Sequence, residues 1–331
     1  TFDTGWSFGL GINAPFGLAT KYDSDWVGRY HAVESDMMTI NINPAAAYKF
    51  NDRLSFGFGF NAQYIEATLS SMYDAGLLLG GAGASQTGDV FAEMKGDDWS
   101  YGYNLGMLYA FNDSTRAGLS YRSKISHELD GDIKFSATNS TAAGYLSTGA
   151  FPNQAISADI DLPASAQLSV YHQYNEKWSV MADVMWTDWS SFDKLEVNLS
   201  QGALFGATTK VVTTENWDDN MRYSIGATYK PNDTCDLRMG LAYDETPIPD
   251  ANRTPRIPGT DRIWLALGAG HKRGNWNFDV GYVHLFVDDS KIDLSTPFPP
   301  DTADENFPRG NLSGEFENSV DIFSVGVSYT F

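Results

Sequence analysis

The side chains able to do covalent or metal chemistry are few in this chain and badly spaced for it. The 5 histidines, His31, His127, His172, His271 and His284, are scattered without the short spacing that zinc requires. Asp97-Asp98, Asp218-Asp219 and Asp288-Asp289 lack the loop spacing of a calcium hand and read as a solvated rim. No serine stands in a motif with a histidine and a positioning partner, and Gly80-Gly81-Ala82-Gly83 lacks the lysine and hydroxyl residue of a phosphate loop. The single Cys235 permits no internal disulfide and reads as a small, half-buried residue at a turn. Catalysis, a metal ion and a cofactor are therefore not expected.

What remains is recognition. Met72, Leu77, Leu78 and Leu79 in the segment 70–98, with Leu146 and Phe151 in 137–157, put apolar side chains where a solvated loop would not. They read either as a groove that captures an apolar ligand or as loops packed together to seal what lies beneath. Arg222 and Arg238 either orient a carboxylate head group through paired donors or join ion pairs with residues such as Asp183 and Asp244. Arg253, Arg256, Asp261 and Arg262 read as anchors of a loop at a strand entrance.

The elements that must position these residues are strands. Phe323, Val325, Val327, Tyr329 and the final Phe331 alternate with Ser324, Gly326, Ser328 and Thr330, which makes one face apolar and the other small or hydroxylated. The same period of two runs through Trp6, Phe8, Leu10 and Ile12, and through Leu54, Phe56, Phe58 and Phe60. It returns in Tyr101, Tyr103, Leu105 and Met107, which leaves Arg116, Arg122, Arg222 and Arg238 on the inner face. A wall with lipid outside and water inside needs this alternation everywhere. The fold class expected is all-β, a transmembrane antiparallel β-barrel of about twelve strands forming a single domain over 1–331.

Composition agrees. Mean hydropathy is -0.30 and no apolar run reaches the length of a membrane helix, because alternation hides a barrel's membrane signal. Aromatic residues make up 14%, as interfacial girdles would require. A net charge of -20 excludes a nucleic-acid footprint. Short turns at Asn51, Asn112, Asn175, Asn232 and Gly274 alternate with long connections at 70–98, 137–157, 246–260 and 292–313, an asymmetry that puts the long ends outside the cell. Two defects stand out: Ala14-Pro15-Phe16-Gly17, which should break pairing, and Pro44, a second missing ladder donor.

Residues 223–331 carry a resemblance. Tyr223-Ser224-Ile225-Gly226-Ala227-Thr228-Tyr229, Arg238-Met239-Gly240-Leu241-Ala242-Tyr243-Asp244, Thr246-Pro247-Ile248-Pro249, Arg253-Thr254-Pro255-Arg256-Ile257-Pro258 and Asp261-Arg262-Ile263-Trp264-Leu265 resemble the outer-membrane long-chain fatty-acid transporter (FadL) family, including its aromatic-hydrocarbon uptake relatives. Weaker similarity covers the rest of the chain, including 13–22 and 39–64.

The resemblance implies a monomeric fourteen-stranded barrel in the bacterial outer membrane, set among lipid and lipopolysaccharide and plugged by an N-terminal hatch. Hydrophobic molecules, fatty acids or aromatic hydrocarbons, would be captured in the loops, pass a lumen site, and leave sideways at an inward kink. The kink maps onto Ala14, Pro15, Phe16 and Gly17. The hatch and the first two strands of the family have no counterpart here, and Thr1 to Trp6 shows no signal peptide. Ser71 and Asp218 stand where the fatty-acid-binding prototype has basic residues, so that carboxylate clamp does not carry over and neutral ligands gain ground. A water-filled porin and a structural or adhesive barrel are the alternatives of another class.

Overall fold

The computed structural model describes residues 5–295 and 309–330, so Phe331 and positions 296–308 of the last long connection lie outside the described residues. From the amino end come β1 (Trp6–Asn13), β2 (Gly17–Lys21), β3 (Glu34–Lys49), β4 (Leu54–Asp74), β5 (Asp89–Ala110), β6 (Thr115–Arg122) and β7 (Ile125–Ala137). They are followed by β8 (Gln154–Leu162), β9 (Ser165–Gln173), β10 (Trp178–Thr187), β11 (Lys194–Ala203), β12 (Thr208–Thr214) and β13 (Asn220–Asn232). The remainder are β14 (Cys235–Asp244), β15 (Arg262–Arg273), β16 (Trp276–Val287), β17 (Ser290–Leu294), β18 (Leu312–Phe316) and β19 (Ser319–Tyr329). Two short helices, α1 (Ala75–Gly80) and α2 (Ser140–Leu146), lie in long connections.

All strands but β17 and β18 form one 17-stranded antiparallel sheet. Five of its staves are each built from two segments, β1 with β2, β6 with β7, β8 with β9, β10 with β11 and β12 with β13, so the wall has twelve staves among the described residues, the number read from alternation. β1 and β2 take register only from β3, and β19 only from β16, so the two ends of the wall share no ladder among the described residues. Every residue of β19 and nearly every residue of β1 is accordingly exposed.

The wall is inside out compared with a protein folded in water. Phe58 is 53% exposed and Val325 81%, whereas Asn41, Asn61 and Gln63 on the inner face are 0% exposed. Inside, Asn41 Nδ2 donates to Asn13 Oδ1 (3.1 Å) and Asn61 Oδ1 (3.0 Å), and Asn43 Nδ2 reaches Asn104 Oδ1 (2.7 Å). At the short-turn end, aromatic neighbours form a girdle, with ring centroids 4.9 Å apart for Trp6 and Tyr48, 4.7 Å for Trp178 and Tyr229, and 4.9 Å for Trp276 and Tyr329.

The short turns close by one device. Asn51 Oδ1 accepts from the backbone of Arg53 (2.8 Å) and Leu54 (2.9 Å), and Asn112, Asn175 and Asn232 each do the same for the residues two and three ahead. At Pro44, pairing between β3 and β4 skips two residue pairs, those of Asn43 and Pro44, without shifting register. The Phe60 carbonyl opposite the proline, which has no N–H to offer, takes Asn43 Nδ2 instead (2.9 Å).

The long connections differ from the sequence bounds in one respect. β4 continues to Asp74 and β5 starts at Asp89, so the loop read at 70–98 is a helical turn on a hairpin that stands above the membrane. Similarly, 292–313 carries the hairpin of β17 and β18, packed on itself through Ile292, Leu294 and Leu312 with Trp26 alongside. Period two persists in both because the projecting ladders still have an inner and an outer face.

Candidate functional site

A cavity of about 830 Å3 occupies the lumen under the loops. Its apolar lining comes from several staves: Met37 of β3, Leu69 of β4, Leu129 of β7, Ile160 of β8, Val197 of β11 and Val320 of β19. From the connections, Trp189, Phe192, Trp217 and Ile248 form an aromatic corner, with Trp217 centred 5.0 Å from both Trp189 and Phe192. An apolar hollow of this size is the ordinary form of a small-molecule site.

The register places a polar rung across the wall. Arg122 of β6 pairs with Ser165 of β9, Ser165 with Thr187 of β10, and Thr187 with Asn220 of β13, and all four line the cavity. Below it, Arg222 lines the cavity with Nη2 on the Met185 sulfur (3.3 Å). Of the two arginines read from sequence as ligand contacts, only Arg222 meets the cavity. Arg238 is held in a wall network by Asp236 (2.6 Å) and Asp279 (2.8 Å), nearer the short turns, and its partners are neither Asp183 nor Asp244. That outcome is the ion-pair alternative, and Asp236, two residues away on the same strand face, was its signal.

The cavity meets the wall at the break between β1 and β2, where Pro15, Phe16, Gly17 and Leu18 line it. Asn13 pairs with Asn41 and Gly17 with Met38, so Ala14, Pro15 and Phe16 face only Thr39 and Ile40: the strand carries one residue too many and bulges. The Thr39 side chain, 0% exposed, takes the place of the ladder. Its Oγ1 accepts from the Phe16 N–H (3.0 Å) and donates to the Phe16 carbonyl (2.7 Å). The Phe16 ring turns inward to Trp189, at 6.0 Å between centroids.

The loop leucines are brought together only in part. Leu78 and Leu79 of α1, Leu146 of α2, and Phe151 pack in one cluster with Val90, Ile133, Phe135 and Leu199. Met72 is buried and Leu77 half-buried, both outside that cluster, and none of the six lines the large cavity. Asp74 secures the turn by capping α1 at Leu77 N (2.9 Å) while accepting from Ser85 Oγ (2.6 Å).

Sequence reasoning undervalued Arg256. It anchors its loop to the outer ends of β3 and β4, donating to Glu34 O (3.1 Å), Ser35 Oγ (2.9 Å) and Ser70 O (3.2 Å), yet it also lines the cavity. Burial, with Arg309 nearby, pulls its pKa down to about 10, so it remains charged at neutral pH. Arg253 is an anchor alone, bound to Asp250 Oδ1 (2.7 Å) and Gly259 O (3.0 Å).

Close by, His31 sits buried in the loop before β3 with Nε2 donating to the Gly310 carbonyl (2.8 Å), an arrangement that requires a proton on Nε2. Burial pushes its pKa down to about 4. The unfolded loop therefore binds the proton more readily, and stability full above the ordinary histidine range is lost as pH falls toward the depressed value. Going from pH 7.5 to 5 should cost the loop packing about 2 kcal/mol, read as a falling thermal midpoint and faster proteolysis there. His31→Gln should flatten that pH dependence.

Comparison with known proteins follows this geometry closely. The family model described as "Outer membrane protein transport protein (OMPP1/FadL/TodX)" matches residues 2–331. The long-chain fatty acid transport protein of Escherichia coli O6:H1 is 29% identical, over 99% of this chain and 74% of its own length. The crystal structure of a Pseudomonas aeruginosa FadL homologue superposes with a TM-score of 0.87 at 26% identity, over 99% of this chain and 76% of that one. The toluene transporter TodX of P. putida shares the fold, with a TM-score of 0.70 at 20% identity over 99% of this chain and 79% of that one. The wall is thus a bacterial outer-membrane barrel of a family made of transporters of hydrophobic compounds. The chain belongs to the OMPP1/FadL/TodX family of outer-membrane transport proteins.

Proposed function

We propose that this barrel takes up long-chain fatty acids passively across the outer membrane. Ligand is captured at the leucines of α1 and at Leu146 and Phe151, moves into the lumen cavity, and leaves sideways at Ala14, Pro15, Phe16 and Gly17. One observation carries the reading: a single, largely apolar cavity reaches from loop residues such as Ile248 to the wall break at Pro15 and Phe16. Burying an alkyl tail there is favourable by about 25 cal/mol per Å2, and the onward step needs no energy source beyond consumption inside the cell. The chain acts as a monomer, its outer face held by lipid and lipopolysaccharide, with no enzymatic step.

Monoaromatic hydrocarbons are the second reading, favoured by the corner of Trp189, Phe192 and Trp217, whose edge-to-face rings suit another ring. The deciding measurement is displacement of a fluorescent long-chain fatty acid from the detergent-purified protein. Oleate should displace it and toluene should not. Displacement mainly by toluene would turn the assignment to aromatic hydrocarbons. Absence of binding, with steady ion conductance in planar bilayers, would turn it to a porin.

A further inference from the structure

The outside of the wall carries a second hollow. About 670 Å3 in volume, it opens on the lipid-facing side across β1, β3, β4, β5 and β6. Register builds it from two neighbouring rungs, with Trp6, Tyr48, Phe56 and Met107 side by side on the first and Ala46, Phe58 and Leu105 on the second. Among these large side chains the single methyl of Ala46 leaves a recess. Trp6 and Tyr48 belong to the aromatic girdle at the short-turn end, so the recess opens into the inner leaflet, where acyl chains begin. A chain seated in it makes contacts that a smooth wall does not offer.

Beneath the recess lies charge. Arg53, in the turn between β3 and β4, stands three residues before Phe56, and its exposed guanidinium has no hydrogen bond or ion pair among the described residues. A strand tilted by about 40° climbs about 8 Å over three residues, the depth of the head-group layer. The nearby Lys49 is already held by Asp52 (2.8 Å), which leaves Arg53 as the unpaired cation of this turn. Around the rim, Lys49, Arg53, Lys177, Lys230, Lys272 and Arg273 outnumber the acidic side chains of the short turns, although the net charge of the chain is -20. The Trp6 indole N–H also lacks an acceptor among the described residues and is free for an ester carbonyl.

We propose that this recess is a binding site for one phospholipid of the inner leaflet, with an acyl chain lying over Ala46 and the head-group phosphate paired with Arg53. The occupant is a membrane lipid because the recess is continuous with the lipid-facing wall and shares no lining residue with the lumen cavity, so the site does not depend on what the lumen carries. A zwitterionic head group brings its own cation to its phosphate, whereas an anionic one leaves the phosphate to the protein. The site therefore prefers a lipid of net negative charge.

The test is native mass spectrometry of the purified barrel in micelles holding equal amounts of phosphatidylglycerol and phosphatidylcholine. The parent should keep one phospholipid through a detergent wash that strips the rest. Phosphatidylglycerol should fill that place about five-fold more often, the gain from one basic residue at an anionic lipid surface. Ala46→Phe fills the recess and should weaken retention of both lipids about ten-fold. Ala227→Phe, one rung from the Trp178–Tyr229 girdle pair on β13, should leave retention at the parent value. Arg53→Gln should make the two lipids equal without loss of phosphatidylcholine. Should Ala46→Phe not fold, as judged by heat-modifiable mobility in gels, Ala46→Leu takes its place. Unchanged retention in the folded Ala46 variant, or an equal loss in Ala227→Phe, overturns the recess as the site. A preference that survives Arg53→Gln overturns the phosphate contact, and a parent that keeps no phospholipid through the wash overturns the proposal as a whole.

Discussion

Deleting Pro15, or replacing both Pro15 and Gly17 by valine, should reduce fatty-acid uptake to the level of cells lacking the protein while the barrel still folds. The break between β1 and β2 is a matter of count: Ala14, Pro15 and Phe16 stand against Thr39 and Ile40, and removing one residue lets a single register run from Trp6 to Lys21. Valine acts through chemistry instead, returning an N–H at 15 and strand propensity at 17. Space is not the obstacle, since a Cβ on Gly17 meets only the Met37 carbonyl at 3.6 Å. Heat-modifiable mobility in gels reports folding, and uptake of labelled oleate reports passage. Unchanged uptake in a folded, straightened variant removes lateral exit.

The second large effect is expected at Arg256. Its side chain satisfies two backbone carbonyls and the Ser35 hydroxyl, while the loop's own backbone accepts from Thr20 Oγ1 at Arg256 O (2.8 Å) and from Tyr22 OH at Pro255 O (2.6 Å). Arg256→Ala strands buried acceptors and should cost about 3 kcal/mol, most of it felt in the loop layer. The measurable results are a lower thermal midpoint, protease cleavage within 246–260, and a rise in ion conductance as the cover loosens. Arg256→Lys should restore the charge but not the fork, and recover only part of each. If conductance and cleavage both stay at parent values, the arginine is not what holds the cover down.

Much of the wall was legible because a barrel writes its face in every second residue. Phe56, Phe58 and Phe60 against Asn61 and Gln63 fix inside and outside without any tertiary information, and the asparagines at 51, 112, 175 and 232 mark the hairpin turns locally. Pro15 marked the bulge for the same reason: its effect on the ladder belongs to the residue itself. The cavity was less legible, because Arg122, Ser165, Thr187 and Asn220 meet only through three registers that no short sequence window contains. Alternation put Arg238 and Arg222 on the same inner face, yet height along the barrel separates a wall ion pair from a cavity residue. The loop leucines were apolar for a reason the sequence left double, and their packing around Ile133 and Phe135 supplies a covering role whatever they also capture.

The way Thr39 replaces the ladder has a consequence in populations. A segment held by two hydrogen bonds from one hydroxyl, each worth about 1 kcal/mol net, separates from it at a cost of about 2 kcal/mol. At room temperature that leaves a few per cent of molecules unlatched at any instant, about 3%, interconverting without any signal from outside. If ligand leaves sideways here, as proposed, passage is governed by occupancy: the fraction of time the threonine is away sets the ceiling on flux. Thr39→Val, which removes both hydrogen bonds, should raise that fraction, whereas Thr39→Ser, which keeps the hydroxyl, should leave it near the parent value.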